Sequence, residues 1–525
     1  MPSIPDLYDG GLQSDIPFQE LHVHTHSHAA YASRSNSIAS RSFSQRMLRS
    51  DDASLLPPSG LRADWVLISI SFRSGALLLL LFWVLWDCIV DTHVHPSSNN
   101  FWVDAVIPIY RATGFLIMAY WMWGLNVYVW RKYHINYMFL FELDPRTSDT
   151  HRKIFSNAIT ISIVYLVDFL FYFKMQRGDF MKWCPPGIWP MSLFVLILLI
   201  MVPWPFCGTP LKQWPVAFCE VLMAPFRPVK FLHVFIGDVL TSLVKPGIDV
   251  AYSLCFLGTG LWLVRDLENN SEGRQCLDSF TLTKVFTPII SAMPLWLRLL
   301  QCLRRYYDTR DRFPHVVNAG KYATAQSVII VGVFHASLAK GAPLTRAAWI
   351  ITLTCSTMYS YLWDVFMDWD LGRKEWGRLR STLVYRSRTF YYSAIVLDLF
   401  FRFAWALTFV PASAESPLGD WYLHSLTPVV SGMEVIRRGV WSLIRVENEH
   451  LTQMSQKEDD AASAAAHEAI ANQLTHGLLE DDAEEVQDEV DATQRKKQKG
   501  WMLLLEIAGI IAIVLAVALV SYFTN

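Results

Sequence analysis

The chain has 525 residues, of which 52% are apolar and only 18% charged, with 21 Trp and a formal net charge of −2. That balance fits several membrane spans with aromatic residues at the lipid–water boundary, and the absence of a basic face excludes a nucleic-acid partner. The eight cysteines (Cys88, Cys184, Cys207, Cys219, Cys255, Cys276, Cys302, Cys355) show no CxxC spacing, which argues against a zinc site or a disulfide-framework domain.

Residues 1–60 are polar and serine-rich, without a periodic apolar face, and read as a disordered cytosolic N-terminus. His22, His24, His26 and His28 alternate there, so an extended chain would set their imidazoles on one side. A His-rich flexible tail is nonetheless the preferred reading, and no metal site is assigned. No apolar signal-peptide core precedes Trp65.

Ten core spans follow, at 65–90, 106–130, 156–174, 188–206, 231–265, 283–302, 321–339, 344–366, 389–411 and 425–445, with an isolated one at 501–523. The fold class is an all-α polytopic membrane protein. The fifth stretch is too long for one straight crossing and is interrupted by Lys245-Pro246-Gly247, which predicts a broken or strongly bent helix. Alternating the spans from a cytosolic N-terminus puts Arg131-Lys132, Arg227 with Lys230, Arg304-Arg305, and Arg373-Lys374 with Arg378 and Arg380 inside, as the positive-inside rule requires, and Arg380 there reads as a solvated loop cation. The loop at 175–187, with Arg177 and Lys182, is the exception. The loop at 266–282 falls outside and holds the only glycosylation sequon, at Asn269.

The last two core spans carry arginines that a lipid-facing helix would reject. Asp398-Leu399-Phe400-Phe401-Arg402-Phe403-Ala404-Trp405 is one run, and Glu434-Val435-Ile436-Arg437-Arg438 the other. An arginine near mid-bilayer costs at least about 2.5–3.5 kcal/mol, so three of them predict a shared cavity or an anion. Asp398 can pair with Arg402 at a spacing of four, and Glu434 with Arg437 or Arg438. One carboxylate between two arginines leaves a positive charge over, which favours a phosphate or carboxylate ligand. Asp364 and Asp368, four apart, can bind a cation, carry protons or pair with these arginines, the last being preferred. Asp238 and Lys321-Tyr322 are further intramembrane or interfacial polar groups, although Lys321 also suits a snorkelling cation.

Residues 452–499 begin Ala-rich and helix-compatible, then turn acidic, and read as a cytosolic linker. They end in the basic run Arg495-Lys496-Lys497-Gln498-Lys499, suited to anionic lipid, before a tail-anchor-like helix at 500–525.

Five ordered runs carry a family resemblance. They are Arg304-Arg305-Tyr306-Tyr307-Asp308-Thr309, Phe313-Pro314-His315 through Lys321-Tyr322, Trp363-Asp364 through Met367-Asp368-Trp369, Phe401-Arg402-Phe403-Ala404-Trp405, and Glu434 through Arg438 to Glu447-Asn448-Glu449-His450-Leu451. With Gly124-Leu125-Asn126 and Phe141-Glu142-Leu143-Asp144-Pro145-Arg146 upstream, residues 61–451 resemble the EXS domain family. That family includes SPX–EXS phosphate exporters and SPX-less Golgi proteins needed to retain ER residents. The resemblance implies that Asp238, Thr241, Lys321, Tyr322, Asp364, Arg402, Trp405, Arg437 and Arg438 line a phosphate path, with Glu434 at a gate. Thr241 stands where the exporters tend to have Asn, which implies altered affinity. The 60 polar residues before the first span do not make an SPX module, so the SPX-less Golgi type is the nearer comparison.

The expected function is therefore movement of inorganic phosphate across a Golgi or ER membrane toward the cytosol, without an enzymatic step or cofactor. The plasma membrane is a less favoured site. A non-transporting scaffold that sorts glycosyltransferases or ER residents is the alternative, and a membrane-embedded transferase a weaker third. Expected partners are inorganic phosphate, membrane lipids, glycosyltransferase-sorting proteins and a second copy in a homodimer.

Overall fold

The computed structural model describes residues 60–94, 101–145, 148–176, 183–201, 213–264, 275–338, 343–372, 379–409 and 418–475. The expectations for residues 1–59, for Asn269 and for the helix at 500–525 lie outside them. Contacts divide the chain into a short unit ending at Ser74 and a large one starting at Gly75. Everything below concerns the large unit.

Every described element is helical. In chain order the helices are α1 Gly60–Val94, α2 Phe101–Lys132, α3 His151–Gln176, α4 Ile188–Met201, α5 Gln213–Leu222, α6 Phe231–Ser242, α7 Val244–Gly258, α8 Thr287–Thr309, α9 His315–Leu338, α10 Pro343–Trp363, α11 Arg388–Arg402 and α12 Leu418–Thr475. Among the described residues, five helices are long and apolar enough to cross a membrane, or six if the bent pair α6–α7 is one span. The protein is thus an all-helical membrane protein. A helix starts in or beside each of the ten apolar stretches, but α12 has its apolar run interrupted by Glu434, Arg437 and Arg438. The short α5 was not anticipated, its ten residues being too few to cross.

The predicted break falls between α6 and α7, which meet at 70° around Leu243. Pro246 sits in the first turn of α7, where its missing N–H costs no helical hydrogen bond. The break leaves the polar end of α6, Asp238 to Ser242, facing other helices.

Helix α2 packs against α3, α4, α7 and α12, and α8 against α6 and α9. One core gathers Trp130, Phe141, Phe235, Trp369, Tyr391 and Trp441; a second gathers Ile109, Tyr110, Phe194, Tyr252 and Phe256. Large apolar side chains point outward along α1, such as Leu78, Phe82 and Trp86, as lipid contact requires. Gly439 lets α12 approach α2 closely, because a Cβ there would meet the Met122 sulfur at 2.9 Å.

Cys255 and Cys276 form a disulfide between the end of α7 and the segment leading to α8. Cysteine spacing did not signal this pair, which lies 21 residues apart. Another correction concerns Arg380, read as a solvated loop cation. Its guanidinium is largely buried, pairs with Glu447 at 2.8 Å and donates to the Trp369 carbonyl at 2.5 Å. Glu447 is fully buried and also accepts from the Tyr391 hydroxyl at 2.5 Å and the Val384 N–H at 2.8 Å, so Arg380 fastens the 379–391 segment onto α12.

Candidate functional site

The polar residues of five helices converge on one cavity of about 210 Å³, several times the ~30 Å³ a water molecule occupies in the liquid. Helix α6 contributes Asp238 and Thr241, α8 Leu295, and α9 Lys321, Tyr322 and Ala325. Helix α10 brings Ser356, Thr357 and Ser360, with Asp364 from the π-helical turn Asp364–Asp368 that ends it. Arg402 comes from the end of α11, and Glu434, Arg437 and Arg438 from α12. A π-helical turn inserts an extra residue into a helix and recurs at functional sites. Here it delivers Asp364 to the cavity, while Asp368 accepts from Trp441 Nε1 at 3.3 Å and lies 3.8 Å from Arg445.

Nine of the ten path and gate residues inferred from the sequence line this cavity. Trp405 does not, but its indole N–H donates to Thr357 Oγ1 at 3.2 Å, one layer behind the wall.

Pairing distributes the charge unevenly. Arg437 donates twice to Glu434, at 2.8 and 2.6 Å, and to Asp398 at 2.9 Å, with Asp364 at 3.4 Å. Arg402 bridges Asp364 and Asp398, the latter at 3.1 Å. Buried ions are retained only when paired and hydrogen-bonded, and these two arginines are.

Lys321 and Arg438 differ. Both are buried, and among the described residues neither has a carboxylate within ion-pair distance. Arg438 donates to Ser242 Oγ at 2.8 Å and Thr241 Oγ1 at 3.1 Å, with its guanidinium 4.5 Å from the Trp441 ring centroid. The Lys321 ammonium lies over the rings of Tyr322 at 4.4 Å and Trp363 at 5.2 Å. Hydroxyls and π faces orient a cation without cancelling its charge. Of the two arginines expected to share one carboxylate, Arg437 takes Glu434, and Arg438, like Lys321, has no ion-pair partner among the described residues.

Sequence reading missed Arg298. It is buried on α8 and bonds Asp238 Oδ1 at 2.8 Å, the Tyr322 hydroxyl at 3.0 Å and Gln301 Oε1 at 2.6 Å. Tyr322 donates to the same Asp238 oxygen at 2.6 Å. Gly237 makes room for this cluster, since a Cβ there would lie 2.5 Å from Arg298 Cδ. A signal was present: Arg298 and Gln301 share a helix face inside an otherwise apolar run. Among the described residues no group of His, Cys, Asp and Glu is placed to hold a metal ion.

Residues 106–451 match the EXS family. The chain belongs to the EXS family. It is 33% identical to SPX and EXS domain-containing protein 1 of Dictyostelium discoideum over 400 residues, covering 74% of this chain and 42% of that protein. It is 30% identical to human solute carrier family 53 member 1 over 454 residues, covering 82% of this chain and 62% of that protein. A zebrafish (Danio rerio) homolog of xenotropic and polytropic retrovirus receptor 1 is 32% identical over 411 residues, 75% of this chain and 57% of its own. The chain thus spans about half the length of the curated relatives it matches. Its EXS region contains every residue that lines the cavity.

Proposed function

We propose that this EXS protein moves inorganic phosphate across its membrane through the cavity between α6 and α12, without a covalent step. The observation that carries this reading is the pair of buried cations Lys321 and Arg438, which face one polar cavity and have no carboxylate within ion-pair distance among the described residues. A phosphate there would supply a counter-charge and accept from the Ser356 and Ser360 hydroxyls around it. Arg402 and Arg437 are held by Asp364, Asp398 and Glu434, so they add positive field while keeping a fixed geometry. Asp238, with Arg298, tempers that field enough for the anion to leave. Similarity to a protein named as a solute carrier supports transport, and the family resemblance supplies phosphate as its cargo.

In this reading the core has ten spans, Glu434 gates the path through its bonds to Ser242 and Arg437, and phosphate passes from a Golgi or ER lumen to the cytosol. Golgi glycosylation releases phosphate in the lumen, which gives such a carrier a recycling role in supporting resident enzymes. Radiolabelled phosphate uptake into proteoliposomes tests it. Wild type should carry flux that Arg402→Ala and Arg437→Ala abolish, whereas a scaffold would carry none and tolerate both.

A further inference from the structure

Arg304-Arg305-Tyr306-Tyr307-Asp308 is among the runs that carry the family resemblance, yet the cavity does not use it. On α8, Arg298 and Arg305 are seven residues apart, and on α12 Arg438 and Arg445 are too. Seven residues make about two turns, so each pair points to one side of its helix at a spacing of roughly 10.5 Å. Two helices therefore repeat, one step beyond the cavity, the arginine that each presents near it.

The outer arginines converge on one turn. Arg305 Nη2 reaches the Val229 carbonyl at 3.5 Å, and the Arg445 guanidinium lies over the Phe231 ring at 4.9 Å. Their counter-charges are unevenly distributed. Arg304 is paired with Asp308 at 3.0 Å, and Arg445 with Glu449 at 3.1 Å and more distantly with Asp368. Arg305 is half-buried and has no carboxylate within ion-pair distance among the described residues; Arg298 and Arg445 act on it as like charges, and Glu449 as an opposite charge from beyond that distance. A cation that merely snorkelled would place its head in open water.

We propose that Arg305 and Arg445 form a second anion station, one step along the path from the cavity, for the negatively charged oxygens of a phosphate group. The station rests on the reading of the cavity as a phosphate site. Two guanidinium forks suit phosphate oxygens, and the repeat of roughly 10.5 Å on α12 lets an anion be handed from Arg438 at the cavity to Arg445 and Arg305. Free inorganic phosphate and a phospholipid headgroup offer the same chemistry.

The test uses the full chain in phosphatidylcholine vesicles of one orientation, with labelled phosphate titrated on each face in turn. Arg305→Gln should raise the half-saturating phosphate concentration roughly three- to tenfold at the face bearing Arg305. The flux at saturating phosphate from that face should persist, which also shows that the variant is folded. Arg305→Lys should recover part of the loss. Arg312→Gln, which removes an exposed charge from the loop after α8, should have no effect. A shift seen only when anionic phospholipid is added would make the occupant a lipid headgroup, with the station upheld. An unchanged half-saturation in Arg305→Gln, or equal shifts in Arg305→Gln and Arg312→Gln, would overturn the station alone. Wild-type vesicles without phosphate flux would overturn both the station and the transport reading.

Discussion

At the scale of single residues, what distinguishes the cavity's cations is whether a carboxylate holds them. Arg437 commits its donors to Glu434, Asp398 and Asp364, so its fork geometry organises three acidic groups on three elements. Lysine keeps the charge but offers no planar pair of donors. Arg437→Lys should therefore weaken phosphate transport by roughly ten- to a hundredfold, the equivalent of one charge-assisted hydrogen bond of about 1.5–3 kcal/mol. Flux equal to wild type at equal membrane expression would show that the fork is not needed. Arg380 gives the opposite contrast. It is fastened to Glu447 and the Trp369 carbonyl, so Arg380→Lys should lower thermal stability by about 1–3 kcal/mol, while the flux per folded molecule persists. An unchanged melting temperature would return Arg380 to the solvated cation that its loop position suggested.

At the scale of elements, the chain announces its helices well and their neighbours poorly. Apolar length located the five described helices long and apolar enough to cross, and Pro246 in a stretch too long for one crossing announced the bend between α6 and α7. The arginines of α11 and α12 stood out because an apolar run makes a charge conspicuous. Arg298 escaped notice because it sits near the end of its predicted span, where an arginine ordinarily reaches the interface. Arg380 was misread because a loop position says nothing about which helix buries it. Gly237 is where helix packing sets the site: Gly237→Ala should push Arg298 off Asp238 and reduce flux while leaving α6 helical. Retained flux in that variant would separate Arg298 from the transport path. The Cys255–Cys276 bridge closes a loop that contains Asn269. Disulfides and N-glycans both belong to the non-cytosolic side. Glycosidase-sensitive mass that disappears in Asn269→Gln would place that loop in the lumen, whereas its cleavage by cytosolic protease in sealed microsomes would invert the topology.

At the scale of the whole molecule, every residue lining the cavity falls between Asp238 and Arg438, inside the EXS match. Helix α12 nevertheless continues to Thr475, well past the expected start of the acidic linker, and its side chains from Met454 to His467 are exposed. A polar helix surface of this kind contributes nothing to the cavity walls. A chain of residues 61–455 should accordingly carry phosphate at close to the full rate, and a folded but inactive product would assign the remainder a part in transport. The central claim is that Lys321 and Arg438, with no carboxylate in ion-pair contact among the described residues, hold the travelling anion. Labelled phosphate flux against phosphate concentration, in proteoliposomes of wild type, Lys321→Gln and Arg438→Gln, tests it most directly. The account predicts saturable wild-type flux and a roughly ten- to hundredfold loss of apparent phosphate affinity in each variant. Wild-type affinity in both variants, at equal reconstitution, would contradict it.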